Sequence, residues 1–237
     1  MISFIIPCYN EEILVKETIG EIQKVIKKIN LKNYELLIIF DNGNSKTRKI
    51  VQSIAKSQKN IKLTINKINL GYGGSVKVGI KKASKKFLMW IPGDNSHPNS
   101  EIIKIIKNLK KFDGVTTYYT NAHLRASFRR IFTNLYTPVL NFLFNMNMKY
   151  FNGITLVRSK LIKSVKLNTN SHNFSFELWV KLNLRNKIKN IAIIQTILND
   201  RINGSTAFKI KNSLKVMQNV IILFFYFWFN RFLNFIR

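Results

Sequence analysis

Short apolar runs alternate with amphipathic segments over the first 110 residues. Four runs are continuous enough to predict buried strands: Ile2–Ile6, Tyr34–Phe40, Ile61–Ile65 and Phe87–Ile91. Apolar residues recur at helical spacing between these runs, and again behind Ser100, a residue type that favours the N-cap of a helix. Continuous strands alternating with helices predict an α/β fold in which helices cover both faces of a mostly parallel sheet.

The pattern beyond residue 120 is less regular. It predicts a long helix over Arg125–Met146, a turn at Gly153, a helical stretch over Phe176–Asn186 and a strand-like run over Ile191–Leu198. No linker rich in proline, glycine or serine divides the chain, so we expect one domain over residues 1–210. Residues 1–120 form its first half and residues 121–210 its second.

The last segment, residues 211–237, predicts an apolar amphipathic helix. Val220–Phe229 is a continuous apolar run, shorter than the roughly 20 residues that span a bilayer. We expect this helix to lie in a membrane interface with its polar arc facing water. The alternative is a helix packed on the core or on another subunit. The polar arc consists of Asn212, Lys215, Asn219, Asn230, Asn234 and Arg237.

The chain is strongly basic, because its 39 Lys and Arg residues outnumber its 11 Asp and Glu residues and give a net charge of +28. Glu177 and Asp200 are the only acids of the second half. Such an excess favours an anionic partner: nucleic acid, nucleotide, lipid phosphate or an anionic membrane.

A hydrophobic content of 46% excludes disorder, and the single cysteine, Cys8, excludes a disulfide framework and fits a reducing compartment. The first residues lack the basic region of a signal peptide.

Chemistry-bearing residues follow the predicted strands. Asn10, Asp41 and Asp94 each come just after one. In parallel sheets, ligands bind beyond the carboxyl ends of the strands. We therefore expect these three side chains to meet at one edge of the sheet.

Four motifs carry a resemblance to a known family. IPCYNEE (6–12), FDNGNSKT (40–47), NLGYGGSVKVGIKKA (69–83) and WIPGDNSHP (90–98) resemble, in this order, the motifs of family-2 glycosyltransferases of GT-A fold. The dolichol-phosphate or polyprenyl-phosphate glycosyltransferases are the subgroup they are most similar to, over about residues 1–210. The resemblance implies an inverting hexosyltransferase that uses a UDP- or GDP-linked sugar and a divalent cation, magnesium or manganese.

The resemblance also implies roles for individual donor-site residues. Asp41 would accept a ring N–H of the base, and Glu11 would lie near the ribose. Asp94 would hold the metal on the donor diphosphate, with Ser96 as a second metal-coordinating side chain. The first aspartate of the family's D-x-D triplet is replaced by Pro92, which implies a weaker metal site or a different sugar. Pocket walls would come from Pro7, Tyr9, Gly71 and Gly74.

Residues 1–120 are thus the expected nucleotide-sugar donor half, and residues 121–210 the expected acceptor half. A hydroxyl acceptor needs a general base, whereas a lipid phosphate is already ionised and needs only cations. RASFRRIFTNLY (125–136), FNGITLVRS (151–159), SFEL (175–178) and DRINGS (200–205) resemble the acceptor elements of the polyprenyl-phosphate subgroup. Glu177 is then either a catalytic base or a structural acid, and the arginines could alternatively form a solvated surface. The implied phosphate ligands are Arg125, Ser127, Arg158, Arg201 and Ser205, with Arg125 and Arg201 in the principal roles.

Together these observations predict transfer of a sugar to a polyprenyl phosphate at the cytoplasmic face of the membrane, by a peripheral or monotopic protein. A membrane-protein partner could complete the anchor. Three alternatives stay open: transfer to a glycan hydroxyl in surface-polysaccharide assembly, a catalytically silent relative, and a nucleic-acid-binding protein. The last is disfavoured and no nucleic-acid partner is expected, because the aromatic residues concentrate in the apolar tail and no binding motif is present.

Overall fold

The computed structural model describes residues 1–109, 112–121, 127–187, 190–199 and 210–236. For residues 127–134, 210–213 and 234–236 it describes the backbone alone. The strands are β1 (Ile2–Cys8), β2 (Tyr34–Phe40), β3 (Ile61–Ile65), β4 (Phe87–Trp90), β5 (Gly114–Tyr119), β6 (Thr155–Arg158) and β7 (Ile191–Thr196). The helices are α1 (Glu12–Lys28), α2 (Ser45–Ser57), α3 (Gly71–Lys82), α4 (Asn99–Asn108), α5 (Ser127–Phe144), α6 (Ser159–Lys163), α7 (Phe174–Leu184) and α8 (Ile210–Ile236).

One sheet of seven strands, in the order β3-β2-β1-β4-β6-β5-β7, organises the described chain. The pairs among β1 to β4 are parallel, and β7 is parallel to β5. Only β6 is reversed, because it pairs antiparallel with both β4 and β5. Six strands therefore end at a common edge, here called the carboxyl edge, and the mostly parallel sheet predicted from the sequence is confirmed.

The strand predictions differ in quality along the chain. β2 and β3 have the predicted bounds, and β1 runs two residues further than predicted. β5 and β6 were not predicted at all. The expected N-cap of α4, Ser100, is wrong: the N-cap is Pro98, whose carbonyl accepts the amide hydrogens of Glu101 and Ile102 at 3.1 and 3.3 Å. Proline's fixed φ, here −61°, suits the residue that turns the chain into the helix.

Alternation along β1 divides the core into two layers. Phe4 and Ile6 point to the layer that contains α1 and α4, whereas Ile5 points to the layer that contains α3, α5, α7 and α8. Leu223 and Phe227 of α8 are 2% exposed and belong to that second layer. α8 is thus part of the core and is not a detached tail.

The orientation of α8 corrects one expectation. Asn219 and Asn230 of the predicted polar arc are half-buried on the side that also carries Leu223 and Phe227, whereas Lys215 is exposed as expected. The side chains of Asn212, Asn234 and Arg237 lie outside the described part of the chain. Side chains such as Phe225, 68% exposed, point outward instead. Asn219 and Asn230 turn inward because they share the helix face whose apolar residues complete the core. By length and composition alone, the segment Leu214–Leu233 is long and apolar enough to cross a membrane. Of its apolar stretch, 11% is buried inside the protein.

The opposite, amino edge of the sheet holds a buried acid. The Glu35 carboxylate, on a residue that is 3% exposed, accepts hydrogen bonds from the Ser3 hydroxyl (2.7 Å), the Ser84 amide (2.7 Å) and the Lys62 ammonium (2.9 Å). Burial alone would raise its pKa, but the hydrogen bonds from Ser84, Ser3 and Lys62 outweigh burial and lower the pKa to about 2. Glu35 therefore stabilises the end of the sheet that lies away from the ligand edge.

Candidate active site at the carboxyl edge

Asp41 lies directly after β2 and is 5% exposed. Its Oδ1 accepts from the Asn66 side chain (2.7 Å) and the Leu70 amide (2.9 Å), and its Oδ2 accepts from the Gly71 amide (2.8 Å). Leu70 and Gly71 begin α3, so the carboxylate also lies at the positive end of a helix dipole. A carboxylate accepts about four hydrogen bonds. These three contacts leave Oδ2 able to take one N–H more.

The loops after β1 and β2 are tied to each other. The Asn44 amide donates to the Asn10 side chain at 2.7 Å, and the Glu12 amide donates to the Thr47 hydroxyl at 3.0 Å. Gly43 passes so close that a Cβ there would lie 1.7 Å from the Tyr9 carbonyl oxygen. Only glycine fits at this crossing, which explains the glycine of the motif FDNGNSKT.

The other predicted pocket residues around β1 divide by exposure. Tyr9 is 43% exposed, and the Glu11 carboxylate accepts from its amide. Pro7 is buried within β1, and its carbonyl accepts from the Gly93 amide at 3.1 Å. Tyr9 and Glu11 can therefore face a ligand, whereas Pro7 positions the loop that carries Asp94.

The glycines that open α3 have a packing role. A Cβ on Gly71, whose φ is +76°, would lie 2.9 Å from the Asn170 carbonyl oxygen, and one on Gly73 would lie 2.6 Å from that of Ser171. A Cβ on Gly74 would lie 2.7 Å from the Leu70 side chain. Close approach of the protein's own segments thus accounts for all three glycines, and the role of Gly71 and Gly74 as pocket walls stays a prediction.

Asp94 occupies the loop that follows β4, at the centre of the carboxyl edge. The Ser96 hydroxyl donates to Asp94 Oδ1 at 2.6 Å, and the Ser96 amide approaches the same oxygen at 3.2 Å. Asn95, with φ +50°, anchors the loop to α1 through its amide, which donates to the Thr18 hydroxyl at 2.9 Å. The loop thus fixes the Asp94 carboxylate with Ser96 beside it, and the coordination of a metal by these two side chains stays a prediction.

A cation site at Asp94 is chemically reasonable. The described residues contain no group of three or more His, Cys, Asp or Glu side chains that could hold a metal by themselves. Magnesium, however, is commonly bound by one or two carboxylates together with substrate phosphates and water. One carboxylate with a hydroxyl beside it fits a cation that arrives with a diphosphate, and Pro92 provides no further ligand.

Three of the predicted acceptor residues, Arg125, Arg201 and Ser205, lie outside the described residues. Ser127 begins α5, where the backbone alone is described. The chain on either side is described. Asn121 and Leu198 exchange two hydrogen bonds of 2.7 and 3.0 Å, and the Asn199 amide donates to the Ser96 carbonyl at 3.0 Å.

Arg158 is not brought to this edge. It ends the reversed strand β6 and pairs there with Asp113, while its guanidinium lies 5.1 Å from the centroid of the Phe87 ring. These residues belong to the amino edge of the sheet. The expected contact of Arg158 with the acceptor phosphate is therefore corrected, because an antiparallel strand carries its last residue away from Asp94.

Glu177 is buried in α7, with 1% exposed. Its Oε1 receives the Lys181 ammonium at 2.5 Å and the Asn168 amide at 2.9 Å. Its Oε2 receives the Thr169 amide at 2.8 Å and shares the Asn168 amide at 3.1 Å. The carboxylate is thus saturated by donors that fasten the segment before α7. Of the two roles expected for Glu177, this geometry favours the structural acid.

Tyrosines at the carboxyl edge were not singled out by the sequence analysis. Tyr119, the last residue of β5, lies 5.4 Å from Tyr150 and 5.9 Å from His97 between ring centroids. Tyr72 stacks on His172 at 5.6 Å, and burial, followed by the proximity of Tyr119 and Tyr150, raises the pKa of its phenol. Their signal in the sequence is position, because Tyr119 follows a strand end and Tyr72 stands inside the glycine motif.

Comparison with known proteins gives a family for this chain. Residues 3–163 match the family model described as Glycosyl transferase family 2. An uncharacterised protein of Methanocaldococcus jannaschii is 24% identical over 77% of this chain and 81% of its own length. A dolichyl-phosphate beta-glucosyltransferase of Dictyostelium discoideum is 33% identical over 40% of this chain, but the match spans only 31% of that longer protein.

Solved structures show the same fold. Glucosyl-3-phosphoglycerate synthase from Mycobacterium tuberculosis, in complex with Mn2+, UDP and phosphoglyceric acid, superposes with a TM-score of 0.70 at 16% identity, covering 95% of this chain and 77% of that one. The expected GT-A architecture is thereby confirmed.

Proposed function

Because this chain belongs to glycosyl transferase family 2 and is therefore a nucleotide-sugar-dependent glycosyltransferase, we propose that it moves a hexose from a UDP- or GDP-linked donor to a polyprenyl phosphate. The transfer inverts the configuration at the anomeric carbon and takes place at the cytoplasmic face of a membrane. The relatives support the donor class, because the structural neighbour was solved with UDP and Mn2+. They support the acceptor class through the dolichyl-phosphate beta-glucosyltransferase.

The observation that best supports a phosphate acceptor is the hydrogen bonding of the Glu177 carboxylate. Transfer to a hydroxyl needs a base that removes its proton. Beyond residue 120, Glu177 is the only carboxylate side chain that the structure describes, and Asp200 lies outside the described residues. Its two oxygens already receive Lys181, Asn168 and Thr169. A phosphate acceptor removes the need for a base, since its oxygen is ionised before the reaction.

Chain geometry supports the placement of the acceptor cations. Asn121 precedes Arg125 by four residues, and Asn199 precedes Arg201 by two. Asn121 and the Leu198–Asn199 pair are bonded together beside the Asp94 loop. Consecutive Cα atoms are about 3.8 Å apart. Arg201 therefore follows within two residues of the donor site, and we propose that Arg201 and Arg125 hold the acceptor phosphate.

The reaction is a displacement at the anomeric carbon. An acceptor phosphate oxygen forms the new carbon–oxygen bond while the bond to the nucleoside diphosphate breaks, and the leaving diphosphate takes the electron pair. Asp41 orients the base through the free position on Oδ2, and Tyr9 and Glu11 flank it. A divalent cation, held by Asp94 and Ser96, would neutralise the charge that develops on the leaving diphosphate.

Labelled donors test this proposal. The purified protein is mixed with vesicles that contain undecaprenyl phosphate, and with UDP-glucose, UDP-N-acetylglucosamine or GDP-mannose, and labelled lipid is extracted. We expect labelled lipid from one donor, and a loss of about a thousand-fold in rate for Asp94→Asn with an unchanged fold. Asp113→Asn is the matched control, since it removes a carboxylate at the amino edge.

Two results would contradict parts of this proposal. Full activity of Asp94→Asn in the presence of metal would remove Asp94 from the reaction. Label that passes to a soluble glycan, with none in the lipid, would instead establish the rival activity, transfer to a hydroxyl in polysaccharide assembly.

A further inference from the structure

Helices α5 and α8 expose a joint apolar surface. Trp228 of α8 donates its indole N–H to the Leu143 carbonyl of α5 at 3.0 Å, and Phe144 of α5 lies 5.5 Å from Phe227 between ring centroids. On their outward sides, three large apolar residues of α5 and nine of α8 are 39–84% exposed. Monomeric soluble proteins rarely expose so extensive an apolar patch without a function. This outer apolar face consists of Leu135, Val139, Phe142, Leu214, Met217, Ile221, Ile222, Phe225, Trp228, Phe229, Phe232 and Leu233.

The way in which α8 is attached defines its orientation to a bilayer. Contacts to the protein run along the helix, from the Val216 carbonyl, which accepts from Asn173, through buried Leu223 and Phe227 to Trp228. A helix held along the protein in this way cannot cross a bilayer without leaving the core. It can lie in the plane of the membrane with its outer half among the lipid chains.

A basic pocket opens at the rim of the outer apolar face. It encloses about 130 Å³ between the segment before α7, α7 itself and α8. Tyr226, 39% exposed, is next to the apolar face on α8 and lines the pocket. The pocket is lined by Val165, Lys166, Asn168, Lys181, Arg185 and Tyr226.

The charges of this pocket suit an anion. The Lys181 ammonium is compensated by Glu177 and lies 5.3 Å from the centroid of the Tyr226 ring. Lys166 and Arg185 are exposed, and neither forms an ion pair with a described carboxylate. A volume of 130 Å³ is room for about four water molecules at ~30 Å³ each, or for a phosphate group. Two uncompensated cations at its mouth favour that phosphate.

We propose that the outer apolar face lies in an anionic bilayer and that this pocket takes the phosphate of an anionic lipid headgroup. The proposal rests on the membrane location given under the proposed function. Charge selects this occupant, because a second copy would oppose +28 with +28, whereas a phosphate-rich surface complements it. Tyr226 and Trp228 are of the residue types enriched where lipid chains meet water.

Tryptophan fluorescence measures insertion directly. The chain has three tryptophans, of which Trp90 and Trp179 are at most 1% exposed and Trp228 is 43% exposed. Vesicles of phosphatidylglycerol and phosphatidylcholine in equal parts should shift the emission to shorter wavelength, and brominated lipid chains should quench it. Trp228→Phe should abolish both effects. Binding without quenching would show that the face stays outside the bilayer and would overturn the proposal.

Charge reversal tests the pocket. The pair Lys166→Glu with Arg185→Glu should weaken binding to the anionic vesicles by at least about twenty-five-fold, since each basic residue at such a surface contributes about five-fold. Lys32→Glu with Lys59→Glu is the matched control, because both lysines are exposed at the amino edge and the net charge changes equally. Equal losses for the two pairs would show that overall charge acts without a pocket.

Polar substitutions test the face itself. Phe142→Ser with Phe225→Ser, both outward side chains, should abolish quenching while circular dichroism and UDP binding are retained. The unchanged protein could instead form a stable dimer without lipid, and these substitutions could make it monomeric. That result would establish a second copy of the chain as the occupant of the face. None of these measurements requires sugar transfer. Vesicle binding that persists without transfer would therefore refute the proposed function alone.

Discussion

Replacing Glu177 by glutamine separates a structural acid from a catalytic base. In the folded protein the carboxylate and the Lys181 ammonium are 1% and 8% exposed, so glutamine leaves an ammonium almost without solvent. Breaking such a pair from one side costs about 3–5 kcal/mol. The glutamine oxygen still accepts from the Asn168 or Thr169 amide, which returns about 1 kcal/mol. We therefore expect Glu177→Gln to lower the free energy of unfolding by about 2–4 kcal/mol.

Two assays on the same variant check this expectation. Urea unfolding should show the loss, and the melting temperature should fall by roughly 5–15 °C for a chain of this size. The transfer rate per folded molecule should stay within about three-fold of the unchanged protein, because Glu177 does not touch the reacting atoms. A rate reduced more than about a hundred-fold, with stability intact, would refute this reasoning and make Glu177 the base.

A second substitution identifies the cause of the lost stability. The double variant Glu177→Gln with Lys181→Met removes the orphaned ammonium, so it should recover part of the loss. The double variant could instead lose more free energy of unfolding than the two single variants lose together. The loss in Glu177→Gln would then come from other contacts, for instance those with the amides of Asn168 and Thr169.

Two further predictions concern stability. Gly43→Ala should lower the free energy of unfolding in urea by about 3 kcal/mol or more, because its Cβ would lie 1.7 Å from the Tyr9 carbonyl oxygen. The control is Gly20→Ala on α1, where a Cβ has nothing within 4 Å, and it should be neutral or stabilising by up to about 1 kcal/mol. Similar effects at both glycines would contradict the geometry. Since folding lowers the pKa of Glu35 from 4.5 to about 2, its contribution is complete above pH 4.5 and is lost as the pH falls towards 2. Glu35→Gln should flatten the stability curve over that interval, and parallel curves for the two proteins would show that other acids cause the decline.

The donor half could be predicted from the sequence because its signals are local. Each strand from β1 to β4 is a continuous apolar run, and the polar residue after it necessarily reaches the carboxyl edge of a parallel sheet. Asp41 and Asp94 could therefore be placed without coordinates. The bonds around them could not, since the partners of Asp41, such as Asn66, are set by how the loops close.

The acceptor half depends on contacts that no local pattern encodes. β6 is a four-residue strand inserted between β4 and β5, and its stability comes from its two neighbours. Without knowledge that β6 is reversed, a motif match placed Arg158 at the wrong edge. α8 illustrates the same limit, because its helical periodicity was correct but the side that packs on the protein depends on Leu143 and Phe144, far away in the sequence.

Because α8 carries both core residues and the outer apolar face, its removal has a practical consequence. Cutting the chain before residue 210 to improve solubility would remove Leu223 and Phe227 from the core and uncover the Phe144 ring, which packs against Phe227. A soluble version is better obtained by keeping the helix and recoding its outward positions with polar residues, so that Leu223 and Phe227 still close the interior. The outer apolar face and the core contacts of α8 can therefore be changed separately only by substituting single side chains, not by truncation.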